Sequence, residues 1–221
     1  MVSSKAHRKT ISLADQAHST LEELIITLKL PPGSTWTEVQ LCEMIGVGRT
    51  PVHEAVQRLA SDHLISVMRR HGIVISKVNV QEQLLVLEVR RGLERLIAVK
   101  AARRISENEK KELLALAKSM EEACEQGDAQ LFLRRNTILK KYMANCSQNP
   151  FAAKALAPLM TLSWRFYYIY HKHLNDLPKV AGLHSAVVKA IIVGNEQLAA
   201  QASDAALDYT EQFTRDIFIN G

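Results

Sequence analysis

The stretch that most constrains this chain is Gly46-Val47-Gly48-Arg49-Thr50-Pro51-Val52-His53-Glu54-Ala55-Val56-Gln57-Arg58-Leu59. It reads as a tight turn that feeds a short amphipathic helix. Pro51 suits a first helical turn, where its missing N–H costs nothing. Val52, Ala55, Val56 and Leu59 recur at helical spacing and give the helix a face to bury. Arg49 and Thr50 stand where the helix begins. A helix that enters a DNA groove end-on turns that end toward bases and phosphates. It then needs a long cationic donor, a small hydroxyl and free backbone N–H groups there. The plainer alternative is a pair of packing helices with surface charge.

The flanking segments favour the first reading. Thr37 to Ile45 is a second short amphipathic segment, and Gly46 suits the left-handed position that stops it. Two short helices joined by a glycine-containing turn form a helix-turn-helix. Downstream, Leu64 to Met68 and Gly72 to Ser76 are β-like runs around a basic tip, Arg69-Arg70-His71. This predicts a wing able to reach a minor groove or a phosphate, although Arg69 and Arg70 alone would also suit a solvated turn. Upstream, Leu21, Leu24, Ile25 and Leu28 form a helical stripe that Pro31-Pro32-Gly33 ends.

With these pieces in place, residues of about 12–77 resemble the winged helix-turn-helix of GntR-type bacterial transcription regulators. The resemblance rests on the Pro32-Gly33 turn, Glu38 and Leu41, Ile45-Gly46-Val47, Arg49-Thr50-Pro51-Val52, Glu54-Ala55, Arg58-Leu59 and the wing glycine Gly72. It implies a DNA-facing set on the two helices: Glu38, Gly48, Arg49, Thr50, Pro51, His53 and Arg58. Arg69, Arg70, His71 and Gly72 add the wing. The chain departs from the family pattern at Val39 and His53, where arginines are usual, at Gly48, where Ser or Thr is usual, and at His63, where glycine is usual. The two missing arginines bear on which operator is read.

Composition is compatible with this reading. A chain of 221 residues allows one or two domains, and 47% hydrophobic content supplies ordinary cores. A net charge of +5 permits a DNA partner without demonstrating one. Cys42, Cys124 and Cys146 are odd in number and widely spaced, which suits packing thiols in a reducing cytosol. The N-terminal residues are polar and basic, and no apolar run of the roughly 18 residues needed to span a bilayer occurs. A cytoplasmic location with no membrane partner is expected.

From about Val80 onward the period is helical. Val86, Val89, Leu93, Leu96, Ile97 and Lys100 suggest one side of a long first helix. Ser106-Glu107-Asn108-Glu109 is a capping box. Gly127-Asp128, Asn149-Pro150, Asp176-Leu177-Pro178 and Gly194-Asn195 mark the remaining boundaries. The expected architecture is mainly α: a winged helix-turn-helix over residues 1–78 with a basic N-terminal arm, then an antiparallel all-α bundle over 79–221.

This second half resembles the FCD ligand-binding domain of the FadR subfamily. The carrying residues are Glu88 to Glu94 with Ala101-Ala102, then Asn145 and Asn149-Pro150-Phe151, then His184, Ala190-Ile191, Gly194-Asn195 and Ala199. The resemblance implies an effector-binding, dimerising bundle. In many such domains an Asp and three His hold a divalent metal. The corresponding positions here are Asn136, Lys140, His184 and Ala206. A protonated lysine has donors and no lone pair. The metal site is therefore expected to be lost, with no metal or other cofactor.

Lys140 instead puts a fixed positive charge where relatives have their cation, and Arg90 on the first helix suits a carboxylate. The expected effector is a small anion met by Arg90, Asn136, Lys140 and His184, with Arg165 and Tyr168 beside them. The competing expectation has Lys140 reaching solvent and Arg90 pairing with Glu94 as internal glue. Trp164, Tyr167, Tyr168 and His171 share one helical face and suit either a pocket wall or plain core. His171 and His173 diverge by about 200° on a helix and make a poor metal pair.

Three function classes follow. The first is a dimeric transcription regulator whose operator affinity a small anion controls. The second is an enzyme using the helical half, disfavoured because no nucleophile–base pair stands at recognisable spacing. The third is an effector-independent DNA-binding protein whose bundle only dimerises.

Overall fold

The computed structural model describes residues 12–69, 72–170 and 176–220. The expected basic N-terminal arm, Arg70 and His71 of the expected wing tip, and His171 and His173 lie outside the described residues. The chain divides into two compact units, Met1–Lys77 and Val78–Gly221.

The first unit holds α1 (Leu13–Ile26), β1 (Thr35–Trp36), α2 (Glu38–Ile45), α3 (Arg49–Ser61), β2 (Ile65–Met68) and β3 (Gly72–Ile75). Thr37 and Gln40 cap α2 reciprocally, and Gly46 ends it at φ 67. Leu21, Ile25, Leu41, Val52, Val56 and Leu59 are all at most 2% exposed and form the core between the helices. Each contributes about 1.5–3 kcal/mol by leaving water. α1 stops at Ile26, ahead of the prolines, and Leu28 takes a positive φ of 62. The leucine stripe therefore overran the helix.

The three strands form an antiparallel sheet in the order β1-β3-β2. The two wing strands were expected. β1 was not, because two residues give no period to read. β1 explains Gly72. This residue sits at φ 83, and a Cβ there would lie 2.6 Å from the Trp36 carbonyl oxygen. The wing glycine is thus required inside the sheet, where the backbone of β1 approaches.

The second unit holds α4 (Val80–Arg104), α5 (Glu107–Glu125), α6 (Ala129–Cys146), α7 (Pro150–Tyr170), α8 (Leu177–Val193) and α9 (Glu196–Asn220). The boundaries expected from capping residues are present: the Ser106–Glu109 box, Asp128, Asn149, Asp176 and left-handed Gly194. α4 packs against α6, α7, α8 and α9.

The buried face of α4 corrects the expected stripe. Gln83, Leu87, Arg90, Glu94, Ile97, Ala98 and Ala101 are buried, whereas Val89 is 54% and Leu96 38% exposed. Apolar residues run along both sides of this helix, so hydrophobicity alone does not pick the inner face. That face instead carries three polar side chains.

Candidate functional site: a helix-turn-helix end and a charged cavity

In the first unit, Gly48 is the N-cap of α3 and offers no side-chain hydrogen bond to the first turn. The backbone N–H groups of Arg49 and Thr50 therefore have no cap from a side chain. Gly48, Arg49 and Thr50 are exposed, and Val52, Ala55, Val56 and Leu59 are buried behind them. The helix dipole and two N–H groups thus face solvent beside a guanidinium and a hydroxyl, a setting that favours a phosphate oxygen. Pro51 fills the first turn, where it lacks only an N–H that would have no helical partner.

Other members of the expected DNA-facing set have partners inside the unit. His53 Nδ1 stands 2.7 Å from Glu38 Oε1 and ties α3 to α2. Arg58 Nη1 donates to Asp15 Oδ1 at 2.7 Å and ties α3 to α1. That bond holds the Asp15 carboxyl below its usual pKa. Arg69 follows β2 at the start of the wing turn.

In the second unit, side chains of α4, α6, α7, α8 and α9 line a cavity of about 50 Å³. Arg90, Asn136, Lys140 and His184 line it together with Thr137, Ser163, Trp164, Tyr167 and Tyr209. Phe132, Met160 and Phe213 supply apolar wall. Four of the six expected effector residues therefore converge. Arg165 and Tyr168 are not among the lining residues. Arg165 is 1% exposed, and desolvation lowers its pKa to about 10. Tyr167, one residue along the same helix, takes the place expected of Tyr168.

The charges are arranged around Glu94. Arg90 Nη2 lies 2.6 Å from Glu94 Oε1, and Lys140 Nζ lies 2.6 Å from Glu94 Oε2. All three residues are at most 9% exposed. Glu94 thus supplies the buried Lys140 with a counter-charge. The Arg90–Glu94 pairing weighed as internal glue is present, and it is shared with Lys140. Burial opposes the charge on Glu94, yet Arg90 and Lys140 together bring its pKa down to about 2. Burial lowers the Lys140 pKa, against the pull of Glu94.

His184 Nε2 accepts from Asn136 Nδ2, 3.1 Å away. Burial, with Lys140 nearby, drives its pKa down to about 3, so it is neutral near pH 7. The Tyr167 hydroxyl accepts from Gln83 Nε2 at 3.0 Å, and Gln83 Nε2 also donates to Ser163 Oγ at 3.0 Å. A polar chain thus runs from the cavity to the first turn of α4. Gln83 and Ser163 in this chain, and Glu94 beside it, were not singled out as site residues, whereas Tyr167 was named as a candidate pocket wall. Glu94 had a legible signal, since it stands four residues after Arg90 and shares its helix face.

The four family metal positions do come together. Lys140, His184 and Ala206 line a second cavity of about 20 Å³, and Asn136 is bonded to His184. Their chemistry does not fit a divalent cation. Lys140 presents an ammonium held by Glu94, Ala206 has no donor atom, and Asn136 offers only a neutral amide. Among the described residues, no group of three or more His, Cys, Asp or Glu is placed to hold a metal ion.

Residues 85–209 match the FCD domain family, and residues 13–75 match the bacterial regulatory proteins of the gntR family. An uncharacterised HTH-type transcriptional regulator from the TAR-I ttuE-ttuC' intergenic region of Agrobacterium vitis is 33% identical over 107 residues. That match spans 48% of this chain and 62% of that protein, less than two thirds of its length. The HTH-type transcriptional regulator McbR of Escherichia coli K12 is 24% identical over 163 residues, 73% of this chain and 74% of McbR. The solved structure of E. coli McbR/YncC superposes with a TM-score of 0.83 at 18% identity, covering 95% of this chain and all of that one (100%). At that identity the superposition speaks for the fold. No described helix is long and apolar enough to cross a membrane.

Proposed function

The chain belongs to the GntR family of bacterial regulatory proteins, in the branch that carries an FCD domain, and from this premise we propose that it is a transcription regulator whose operator affinity is set by a small anion bound in the helical unit. The charged cavity is the observation that carries the effector half of the reading. Two buried cations share one carboxylate there, which leaves a positive charge to be met by a ligand. A carboxylate beside a guanidinium suits that chemistry. The reading needs no resident metal.

In the DNA-binding unit, Arg49 and Thr50 at the exposed start of α3 read and hold the operator. Glu38 and His53 set the angle of α2 against α3. Arg58 serves packing on α1. The protein acts as a homodimer in the cytoplasm, on an operator of two half-sites about one helical turn apart. The exposed apolar residues Leu85, Val89 and Leu96 on α4 support self-association, since a second copy would cover them. The polar chain from the cavity through Tyr167 to Gln83 gives ligand binding a route to the first turn of α4. For a hundredfold loss of operator affinity, the effector must prefer one conformation by about 2.7 kcal/mol.

Selection of preferred sites from random DNA tests the assignment of α3. Arg49→Ala should cost about 1–3 kcal/mol and relax base preference at one position per half-site. An unchanged affinity and preferred sequence would remove Arg49 from the reading head.

A further inference from the structure

The cavity of the helical unit is selective about how much charge it takes. Arg90 and Lys140 carry two positive charges and Glu94 one negative charge. The ionic groups that act on His184 are these three, and His184 itself is neutral. No further carboxylate lines the cavity among the described residues. The cluster therefore has one uncompensated positive charge among buried side chains, and one negative charge balances it.

Its unfilled hydrogen bonds are equally specific. Arg90 Nη1 and Trp164 Nε1 are buried donors without a partner, and Asn136 Oδ1 is a buried acceptor without one. All three residues line the same cavity. Buried polar atoms in native proteins are nearly always paired, and leaving one unpaired is costly. Two orphan donors call for one acceptor group, such as a carboxylate. The orphan acceptor calls for a donor on the same molecule. Phe132, Met160 and Phe213 leave an apolar wall for its carbon atoms.

We propose that this cavity binds a small hydroxylated monocarboxylate, whose carboxylate accepts from Arg90 Nη1 and Trp164 Nε1 and whose hydroxyl donates to Asn136 Oδ1. The proposal rests on the anionic-effector reading above and narrows it in charge and in functional group. A dicarboxylate would bring a second negative charge with no free cation to meet it, next to Glu94. A plain alkyl acid would leave Asn136 Oδ1 unpaired. Trp164 becomes a hydrogen-bonding residue as well as a wall.

Calorimetric titration of the full chain with β-hydroxybutyrate, butyrate, malate and β-hydroxybutyramide, at matched ionic strength and neutral pH, tests this. β-Hydroxybutyrate should bind about tenfold tighter than butyrate and at least about tenfold tighter than malate, and the neutral amide should bind hardly at all. Trp164→Phe keeps the ring, removes the N–H, and should weaken β-hydroxybutyrate about tenfold. In a Trp36→Phe background, Trp164 is the remaining tryptophan, and its emission should change on binding. Malate binding as tightly as β-hydroxybutyrate would overturn the single-charge rule and leave the anionic reading standing. Amide binding as tightly as the acid would overturn both. Butyrate binding equally well, no effect of Trp164→Phe on affinity, or no binding of any of the four would overturn the hydroxymonocarboxylate assignment. In those cases loss of the anion response in Lys140→Met would still judge the broader reading.

Discussion

Glu94→Gln should destabilise the helical unit far more than Lys140→Met, although the two side chains touch. Glu94 is the common partner of Arg90 and Lys140, at 2.6 Å from each. The amide is nearly isosteric but uncharged, so two cations, 3% and 6% exposed, would lose their counter-charge. Removing one partner of a buried ion pair costs about 3–5 kcal/mol. Lys140 can escape by releasing its proton. From its ordinary pKa of 10.5, that release costs about 4 kcal/mol at about pH 7.5, at about 1.36 kcal/mol per unit. The two routes agree on roughly 4 kcal/mol. Lys140→Met instead leaves the neutral Arg90–Glu94 pair intact and removes one hydrogen bond and one desolvation penalty. Its net cost should be within about 1 kcal/mol of zero. Urea unfolding followed by Trp164 emission in a Trp36→Phe background reports on the helical unit alone. Equal costs for the two substitutions, or a Glu94→Gln cost below about 1 kcal/mol, would refute the view of Glu94 as the shared counter-charge.

Acid should weaken the same unit in a defined order. His184 has a folded pKa of about 3 against an ordinary 6.5, so only the unfolded chain takes up its proton as pH falls below 6.5. Stability should drop by about 2 kcal/mol between about pH 6.5 and 5, and His184→Gln should flatten that drop in urea titrations at the two pH values. Glu94, held near 2 against 4.5, should add a further loss as pH falls below 4.5. Purified protein should carry no stoichiometric zinc, nickel or manganese by elemental analysis, and a chelator should leave its melting temperature unchanged; bound metal with His184 as ligand would contradict the donor argument. Gly72→Ala should cost the DNA-binding unit about 1–3 kcal/mol, because φ 83 is strained for alanine and its Cβ would strike the Trp36 carbonyl. Thermal unfolding followed by Trp36 emission measures it.

The parts of this protein legible in its sequence are those where a local rule acts alone. Thr37, Gly46, Ser106, Asp128, Asp176 and Gly194 stop or start helices through their own side chains or backbone freedom, and each stands where its residue type places it. The end of α3 was legible because proline, arginine and a repeating apolar face coincide within one turn. Three features depend on contacts between distant segments and left weaker traces. β1 exists because Trp36 pairs with Ile73, and two residues have no period. The inner face of α4 is chosen by Arg90, Glu94 and Gln83, all polar, while apolar Val89 and Leu96 face outward. Tyr167 rather than Tyr168 meets the cavity because the roll of α7 is set by packing that adjacent tyrosines do not record.

On the proposed reading, a lysine in the place of a metal would change what the site can tolerate. A divalent cation held by an Asp and three His is an exchangeable centre with open coordination positions. An ammonium is covalently fixed, directs a few N–H bonds, and cannot be lost to a competing chelator. Its cost is desolvation, which a lone lysine on α6 would meet by shedding its proton. Glu94 prevents this while itself being held by Arg90, so the charge survives burial. The same carboxylate cancels one of the two positive charges and leaves the cluster with a single unit to offer. A site of this kind trades the strong, general attraction of a metal for a weaker one that depends on the ligand's charge and on its hydrogen-bonding groups. In that account Glu94 both retains Lys140 as a cation and limits what Lys140 and Arg90 accept.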